Sequence, residues 1–376
     1  MGQFFAVAAP GMEALIALEL RRQGLLPKDK TLQSGGVTFE GELEQLYRAN
    51  LHLRTASRVL VRLGDFHAAS FSELRKKAAR LPWEGYLLPG QPVALRVTCR
   101  KSRLYHSDAV AERVAGAISD RLGQPLALEK PADEEADLTP QLIIVRLWRD
   151  VCSISMDSSG ALLHRRGYRL ATAKAPLRET LAAAMLLAAE WDRTSPLLDP
   201  FCGSGTIPIE AALLARGLPP GRERRFAFMD WPGFNTKLWE SLLDASQARL
   251  QSKVPTIQAS DRDAGAVRIA QENAVRAGVA GDIEFSCRAV SAIEPPPGPG
   301  WVITNPPYGL RVSANKDLRN LYAQLGNVLR LQCPGWYTAI LCSDLKLLGH
   351  IGFSLDTSLS LVNGGVRVRL GRGQVI

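Results

Sequence analysis

The stretch DPFCGSG (residues 199–205) follows a short apolar run and precedes the apolar-periodic segment 206–217. This order predicts a buried strand, a tight glycine turn and a helix. In a parallel sheet, ligands bind outside the carboxyl end of such a strand. The stretch is not a dinucleotide fingerprint, because Pro208 takes the place of the third glycine and Asp199 would repel a pyrophosphate. A ligand with an ammonium and a sulfonium beside a nucleoside fits better, and a turn without a ligand is the alternative.

The segments downstream of this turn alternate between strand and helix patterns. Strands are expected at 256–263, 282–287, 301–303 and 335–343, with helices at 264–278 and 318–333. Such alternation predicts a mostly parallel sheet covered on both faces. The residues before 190 instead follow an α+β pattern, with strands at 4–9, 35–41 and 92–101 and helices at 12–24 and 106–123. The chain is therefore expected to hold more than one α/β unit.

The bulk composition restricts the class of protein and partner. The 376 residues carry a net charge of +9, which favours a polyanionic partner, with nucleic acid first and an anionic membrane second. A merely basic soluble protein is the alternative. The six cysteines form no Cys-x-x-Cys pair and do not cluster with the five histidines, so neither a metal site nor a disulfide framework is expected. The N-terminus does not resemble a signal peptide, and no apolar run reaches the ~18–20 residues of a membrane span. We expect a cytoplasmic protein without a membrane or metal partner.

The second strand of the alternating region ends in SDRD (residues 260–263). A carboxylate at the end of the second strand can accept hydrogen bonds from both ribose hydroxyls of a nucleoside ligand. Asp261 is the preferred residue for this role and Asp263 is the second choice. Asp263 has an alternative role as the N-cap of the helix that follows.

The fourth strand is followed by TNPPYG (residues 304–309). Consecutive prolines cannot continue a strand ladder, so the chain leaves the sheet there. The Asn305 side-chain oxygen and the Pro306 main-chain carbonyl can accept the N–H bonds of an exocyclic amino group on a base. Pro306 and Pro307 would hold these acceptors rigid, and Tyr308 would offer a ring for the base. The alternative is a Pro-Pro turn that only ends a strand.

In this order and spacing, DPFCGSG, SDRD and NPPYG resemble the S-adenosylmethionine-dependent class I amino-methyltransferases. Residues 99–110, 164–169 and 174–186 resemble the bacterial branch with a THUMP domain, which methylates guanine in large-subunit ribosomal RNA or tRNA. Residues 4–20 and 363–371 resemble the two ends of that family. The resemblance implies a ferredoxin-like segment (1–65), a THUMP domain (66–160), a linker and helix (161–190) and a Rossmann-like catalytic domain (191–376).

The resemblance also implies the site residues. Catalysis falls to Asn305, Pro306, Pro307 and Tyr308, and the implied S-adenosylmethionine site comprises Asp199, Phe201, Gly203, Ser204, Gly205, Thr206, Asp261 and Thr180. Thr180 belongs to a segment, 177–180, that closes over the cofactor carboxylate in the family. One departure concerns the acid expected after the third strand, where this chain has Ala289. Either a main-chain carbonyl replaces the acid or cofactor affinity is reduced, and losing one hydrogen bond costs about 0.5–1.5 kcal/mol.

Basic residues outside these motifs are candidates for contacts with RNA. Arg100, Lys101 and Arg103 precede a helix beside Tyr105 and His106, and a solvated loop is the alternative. A second set, Arg165, Arg166 and Arg169, either contacts RNA or only ties the linker to the catalytic domain. Cys202 is interpreted as a small buried filler rather than a nucleophile.

The function implied for the chain is methyl transfer to the 2-amino group of a guanine in 23S ribosomal RNA. The alternatives are a tRNA guanine-N2 methyltransferase, a DNA adenine-N6 methyltransferase and a non-catalytic RNA-binding assembly factor. Only the last would need no cofactor, and the alanine at position 289 is its support.

Overall fold

The computed structural model describes residues 1–27, 34–130, 140–169, 177–308 and 318–376. Within these ranges the chain builds two seven-stranded sheets, one from the residues before 160 and one from the residues after 196. The Rossmann-like parallel sheet preceded by α+β units, which the sequence predicts, is confirmed. Gly309 of the TNPPYG motif and residues 170–176 lie outside the described ranges.

The N-terminal sheet is mixed. Its strands are β1 (Gly2–Val7), β2 (Gly36–Gly41), β3 (Arg58–His67), β4 (Val93–Arg100), β5 (Leu128–Glu129), β6 (Gln141–Trp148) and β7 (Val151–Asp157), in the order β2-β1-β3-β7-β6-β4-β5. Its helices are α1 (Glu13–Arg22), α2 (Leu43–His52), α3 (Phe71–Ala78) and α4 (Ser107–Leu122). The pair β4–β6 is parallel and the pairs β3–β7 and β6–β7 are antiparallel, so the carboxyl ends of β4 and β6 meet at one edge.

Strand β3 belongs to both N-terminal units. It pairs with β1 on one side and with β7 on the other, with a register shift between Arg62 and Gly64. The domain boundary expected between residues 65 and 66 therefore falls inside a strand that continues to His67. Composition offered no signal for this, because a strand shared by two units reads like any other buried strand.

The C-terminal sheet has the order β10-β9-β8-β11-β12-β14-β13. Its strands are β8 (Leu197–Asp199), β9 (Ile257–Asp261), β10 (Ile283–Cys287), β11 (Trp301–Thr304), β12 (Tyr337–Cys342), β13 (Ser360–Asn363) and β14 (Val366–Gln374), and its helices are α5 (Glu179–Ala188), α6 (Thr206–Arg216), α7 (Thr236–Gln247), α8 (Ala264–Arg276), α9 (Arg319–Gln332) and α10 (Leu345–Gly349). Strands β8 to β12 are parallel, and β14 runs antiparallel to β12 and β13. The strand order reverses between β8 and β11, which is where an open α/β sheet binds its ligand.

The two sheets are joined by aromatic packing around α2 and α7. Tyr47 of α2 stacks on Phe228, with ring centroids 4.4 Å apart, and Trp239 of α7 meets the Tyr47 ring edge-on. The Tyr47 hydroxyl accepts a hydrogen bond of 3.0 Å from the Asn235 main-chain N–H. The segment between α6 and β9 therefore anchors the N-terminal half to the C-terminal half.

A buried ionic cluster reinforces this junction. Glu210 of α6 is fully buried and lies 3.4 Å from Arg166 and 3.8 Å from Arg54, and it accepts a hydrogen bond from Tyr168. Such a cluster is costly to break, because removing the carboxylate takes the shared counter-charge from two buried guanidinium groups. Within the described residues, no helix is both long and apolar enough to cross a membrane, and no group of His, Cys, Asp and Glu side chains could hold a metal ion.

Candidate active site

The glycine turn lies between β8 and α6, at the switch point. Gly203 and Gly205 have φ angles of +50° and +83°, a backbone conformation that residues other than glycine rarely adopt. A Cβ at Gly205 would lie 2.9 Å from the Ala270 Cβ of α8, so this glycine is needed for close helix packing. A Cβ at Gly203 would meet nothing within 4 Å, so the turn leaves open space on that side. Cys202 is buried, and its burial raises the thiol pKa, so it is not a ready nucleophile.

Asp199 is the most confined acid of the site. One carboxylate oxygen accepts hydrogen bonds from the Thr304 hydroxyl at 2.6 Å and from the Phe201 N–H at 3.2 Å. The other oxygen is buried without a partner among the described residues. Burial raises the pKa of Asp199 to about 7, with the nearby Asp261 charge adding to the shift and the Thr304 hydrogen bond opposing it. A buried carboxylate oxygen without a partner is the kind of group that a cationic ligand would satisfy.

Asp261 closes the turn from β9. Its carboxylate accepts hydrogen bonds from the Gly203 N–H at 3.1 Å and from the Asp263 N–H at 3.0 Å. Asp263 instead caps α8, because its side chain accepts from the N–H groups of Gly265 and Ala266. Asp261 is therefore the acid that contacts the glycine turn, and Asp263 has the capping role that the sequence allowed for it.

The Asn305 loop starts where β11 ends, beside the glycine turn. The Thr304 to Asp199 hydrogen bond ties the two motifs together directly. The Asn305 side-chain oxygen is buried and accepts no hydrogen bond from the described residues. The Pro307 carbonyl accepts a hydrogen bond of 3.3 Å from the Tyr322 hydroxyl of α9, which fixes the loop from behind. The loop thus presents one rigid, unused amide oxygen at the sheet edge.

Two residues at this loop were not predicted from the sequence. Asn363, at the end of β13, donates a hydrogen bond of 2.9 Å to the Tyr308 hydroxyl. Tyr322 is fully buried and contacts both the Pro307 carbonyl and the Cys342 sulfur. The only sequence signal was the pair of glycines after Asn363, which predicts a hairpin turn but not its contact with Tyr308.

The linker reaches the start of α6. The Arg169 guanidinium donates hydrogen bonds of 2.7 Å to the Thr206 hydroxyl and to the Leu177 carbonyl, and lies 3.4 Å from Glu179. Thr180 is buried in the first turn of α5, next to Glu179. Arg169 therefore links the segment 177–180 to Thr206, the first residue of α6 after the glycine turn.

Two of the proposed RNA contacts are corrected by this geometry. Arg166 is 5% exposed, and its guanidinium donates to the carbonyls of Leu163 and Arg54 beside the Glu210 carboxylate. Like the largely buried Arg169 side chain, the Arg166 side chain points into the protein and offers little surface to a macromolecule. The structure therefore favours the alternative, in which these two arginines tie the linker to the C-terminal half. Arg165 is half-buried and has an interaction of its own.

The other basic candidates are at the surface. Arg100, Lys101 and Arg103 are exposed at the end of β4, beside the exposed Tyr105. Ala289 is exposed after β10, and its carbonyl accepts from the Ala292 N–H. A carbonyl oxygen has two lone pairs, so this bond leaves one acceptor position on the Ala289 carbonyl.

Three family models match consecutive parts of the chain. The RlmL ferredoxin-like domain matches residues 3–60, the THUMP domain residues 68–157, and the RMKL-like methyltransferase domain residues 166–365.

Curated relatives match over almost the whole chain. A ribosomal RNA large subunit methyltransferase K/L of Syntrophotalea carbinolica is 37% identical over 98% of this chain and 53% of its own length. A protein of the same name from Methylococcus capsulatus is 36% identical over 98% of this chain and 50% of its own length. A putative RNA methyltransferase of Synechocystis is 35% identical over 96% of this chain and 94% of its own length. The chain thus spans about half the length of the K/L relatives.

Solved structures share the whole architecture. A putative methyltransferase complexed with SAH (S-adenosylhomocysteine) has a TM-score of 0.87 at 30% identity, covering 99% of this chain and 97% of its own. A predicted N6-adenine-specific DNA methylase from Listeria monocytogenes has a TM-score of 0.86 at 33% identity, covering 98% and 95%. TrmN from Thermus thermophilus, at 20% identity and a TM-score of 0.74, shares the fold.

Proposed function

Because the chain belongs to the RMKL-like methyltransferase family, a family of S-adenosylmethionine-dependent enzymes, we propose that it methylates an exocyclic amino group of a base in RNA. The base we propose is guanine, methylated at its 2-amino group, and the RNA is 23S ribosomal RNA. The names of the K/L relatives and the matching THUMP domain support this substrate. A ribosomal substrate would place the protein in the cytoplasm.

The residues of the glycine turn fit the cofactor. Asp199, with its unpartnered buried oxygen, would bind the ammonium group, and Asp261 the ribose hydroxyls. The open space at Gly203 and the adjoining residues Phe201, Ser204, Gly205, Thr206 and Thr180 would surround the rest of the ligand. When bound, S-adenosylmethionine supplies an electrophilic methyl group on its sulfonium.

The Asn305 loop would orient the target base. An exocyclic amino group is a poor nucleophile because its lone pair is delocalised into the ring. Two acceptors, the Asn305 side-chain oxygen and the Pro306 carbonyl, would bind its N–H groups and stabilise the positive charge that develops on the nitrogen. Tyr308, held by Asn363, would stack on the base. No strong general base is required, because the proton leaves after attack. The target must be unstacked to reach this crevice.

The observation that carries this proposal is the unused oxygen of Asn305. It is buried, faces no described donor, and follows directly on the residue that bonds Asp199. A buried acceptor without a donor costs about 1–3 kcal/mol, which a substrate N–H would recover. A Pro-Pro turn that only ended a strand would have no reason to retain such a group.

The decisive experiment separates transfer from cofactor binding. We expect Asn305→Ala to lower the rate of tritiated methyl transfer to ribosomal RNA by roughly 100-fold or more, as for other lost polar groups that stabilise developing charge. Calorimetry with S-adenosylhomocysteine should show affinity within about threefold of the unmodified chain, because one acceptor outside the cofactor contacts changes little. Equal loss of transfer and of binding would contradict the role of Asn305. Asp261→Ala is the matched control, because it should weaken binding of S-adenosylhomocysteine, whereas Asn305→Ala should not.

A DNA adenine-N6 methyltransferase is the second candidate. The Asn-Pro-Pro-Tyr loop suits both chemistries, and the Listeria relative carries a DNA methylase name. Incubation with equal masses of ribosomal RNA, tRNA and duplex DNA, followed by nucleoside mass spectrometry, distinguishes the candidates. N2-methylguanosine in ribosomal RNA would support the proposal. The same nucleoside in tRNA would support the tRNA alternative, and N6-methyladenine in DNA would support the DNA methyltransferase instead.

A further inference from the structure

An exposed tryptophan surrounded by cations lies at one edge of the N-terminal sheet. We call this region, formed by Arg100, Lys101, Arg103, Trp148 and Arg149, the Trp148 surface. It forms there because β4 and β6 are parallel and end at the same edge, with Arg100 and Trp148 opposite each other in register. Four cationic side chains thus share a small area with one large ring.

Trp148 is unusual among the seven tryptophans. It is 48% exposed, whereas Trp83, Trp191, Trp231, Trp239 and Trp336 are buried and Trp301 is half-buried. The Lys101 ammonium lies 5.4 Å and the Arg149 guanidinium carbon 5.8 Å from the Trp148 ring centroid. Both distances are close to the ~6 Å limit of cation–π contacts, so the cations flank the ring loosely. A flat ligand could replace either of them on the ring face.

The backbone around Trp148 is strained. Residues Arg149 and Asp150 form a two-residue hairpin loop between β6 and β7 with φ of +50° and +62°, and Lys101 has φ of +51°. Asn-Gly is the usual choice for such a loop. Hydrogen bonds hold the strained residues: Asp150 accepts from the Arg103 N–H at 2.7 Å, and its own N–H donates to Ser102 at 3.1 Å. Strain that is retained and braced in this way is typical of functional surfaces.

We propose that the Trp148 surface binds an unpaired nucleotide of RNA, with the base stacked on Trp148 and the flanking phosphates bound by the surrounding cations. The identity of the ligand as RNA rests on the function proposed above. Paired bases of an A-form helix do not expose their faces, so the ring can contribute only to a single strand, a bulge or a loop. Asp150 is the acid in the loop: its carboxylate accepts from the Arg103 N–H and lies 4.0 Å from the Arg103 guanidinium, so Arg103 is already partly neutralised and the phosphate contacts rest mainly on the other three cations.

Binding of two RNA probes by the full chain, without cofactor, tests the proposal. The probes are a 12-nucleotide oligoadenylate and a 16-base-pair RNA duplex. We expect Trp148→Ala to weaken binding of the oligoadenylate by between about 5- and 150-fold, the range for loss of one stacked base. Trp148→Phe should recover part of the affinity. Binding of the duplex should change by less than about twofold.

The salt dependence separates stacking from charge. Trp148→Ala should leave the slope of log affinity against log salt unchanged, because a ring releases no counterion. Arg100→Gln should reduce the slope for the oligoadenylate by about 0.7, the value for one phosphate contact on a single strand. The unmodified chain should also show oligoadenylate-dependent protection of tryptophan fluorescence from iodide, and Trp148→Phe should lose that signal.

The variant Arg149→Asn removes one cation of the Trp148 surface without destabilising the fold. Asparagine suits a positive φ better than arginine, so this variant should be at least as stable thermally while binding the oligoadenylate more weakly. Oligoadenylate affinity unchanged in Trp148→Ala, or equal losses on both probes, would overturn the proposal while leaving RNA methylation intact. If RNA binding depends on Trp148 but the chain methylates no RNA, the proposal for the Trp148 surface stands and the proposed function is wrong.

Discussion

The proposed role of Asp199 makes cofactor affinity dependent on pH. Its pKa of about 7 means that about half of the ligand-free molecules carry an ionised Asp199 at pH 7 and about one in a hundred at pH 5. If only the carboxylate binds the ammonium group of the cofactor, the apparent affinity falls in proportion to the ionised fraction. We therefore expect binding to weaken about 50-fold between pH 7 and pH 5, equivalent to roughly 2 kcal/mol.

Calorimetric titration of the unmodified chain and of Asp199→Asn with S-adenosylhomocysteine, at pH 5, 6 and 7, measures this effect. Asp199→Asn should bind weakly and with little dependence on pH. The histidines near the packed interior do not interfere, because burial lowers the pKa of His52 to about 4 and that of His164 to about 3. Equal pH profiles for the two proteins would refute the role of Asp199.

The raised pKa of Asp199 also determines how the stability of the fold depends on pH. The folded state holds the Asp199 proton more tightly than the unfolded chain, whose aspartates titrate near 3.8. Between about pH 4 and pH 7 the folded ligand-free chain thus binds more protons, and this contribution to stability decreases as pH rises. Asp199→Asn should lose it. The buried acids Glu19, Asp157 and Glu179 shift in the same direction, so the difference between the two proteins is the meaningful quantity.

Three further substitutions test other parts of the structure. Glu210→Leu should lower the free energy of unfolding by about 3–5 kcal/mol in urea titration, because it removes the carboxylate that two buried arginines share. Gly326→Ala should destabilise the fold by at least ~1–3 kcal/mol, because its Cβ would lie 1.8 Å from the Ile351 carbonyl oxygen. Asn363→Ala should lower the rate of methyl transfer by about 2- to 13-fold, the effect of one lost hydrogen bond to Tyr308.

Matched variants control for these changes. Gly349→Ala in α10 places its Cβ in open space and should leave the melting temperature nearly unchanged. Asp120→Asn removes an exposed partner of Arg75 and should also have little effect, in contrast to Glu210→Leu. Tyr308→Phe combined with Asn363→Ala should lose no more activity than either change alone. Additive losses would show that Asn363 acts independently of Tyr308.

The parts of the fold that depend on local patterns were predictable from the sequence. Apolar runs, the turn glycines and the prolines after Thr304 define where strands end, and parallel strands bring their carboxyl ends to one edge. The order of the alternating elements therefore predicts that residues 199, 261 and 305 lie near one another. Their distances, the burial of Asp199 and its raised pKa required the structure.

Contacts between distant residues were not predictable. Asn363 and Tyr308 are brought together by the pairing of β12, β14 and β13, which no local pattern encodes. In the sequence, Arg166 resembles a surface cation beside Arg165. Its hydrogen-bond and ion-pair partners, Arg54 and Glu210, lie far away in the sequence. A charged side chain carries no local sign of burial, so the sequence left both alternatives open for Arg166 and Arg169.

The sharing of β3 by two units restricts how this protein can exchange parts with its relatives. Recombination that joined the chain at residue 65 or 66 would take one strand from two parents, although its residues 58–62 pair with β1 and its residues 60–67 pair with β7. A viable chimera must inherit the entire strand together with both neighbours, β1 and β7. We therefore expect the first 157 residues to be exchanged between relatives as one unit, although two family models divide them.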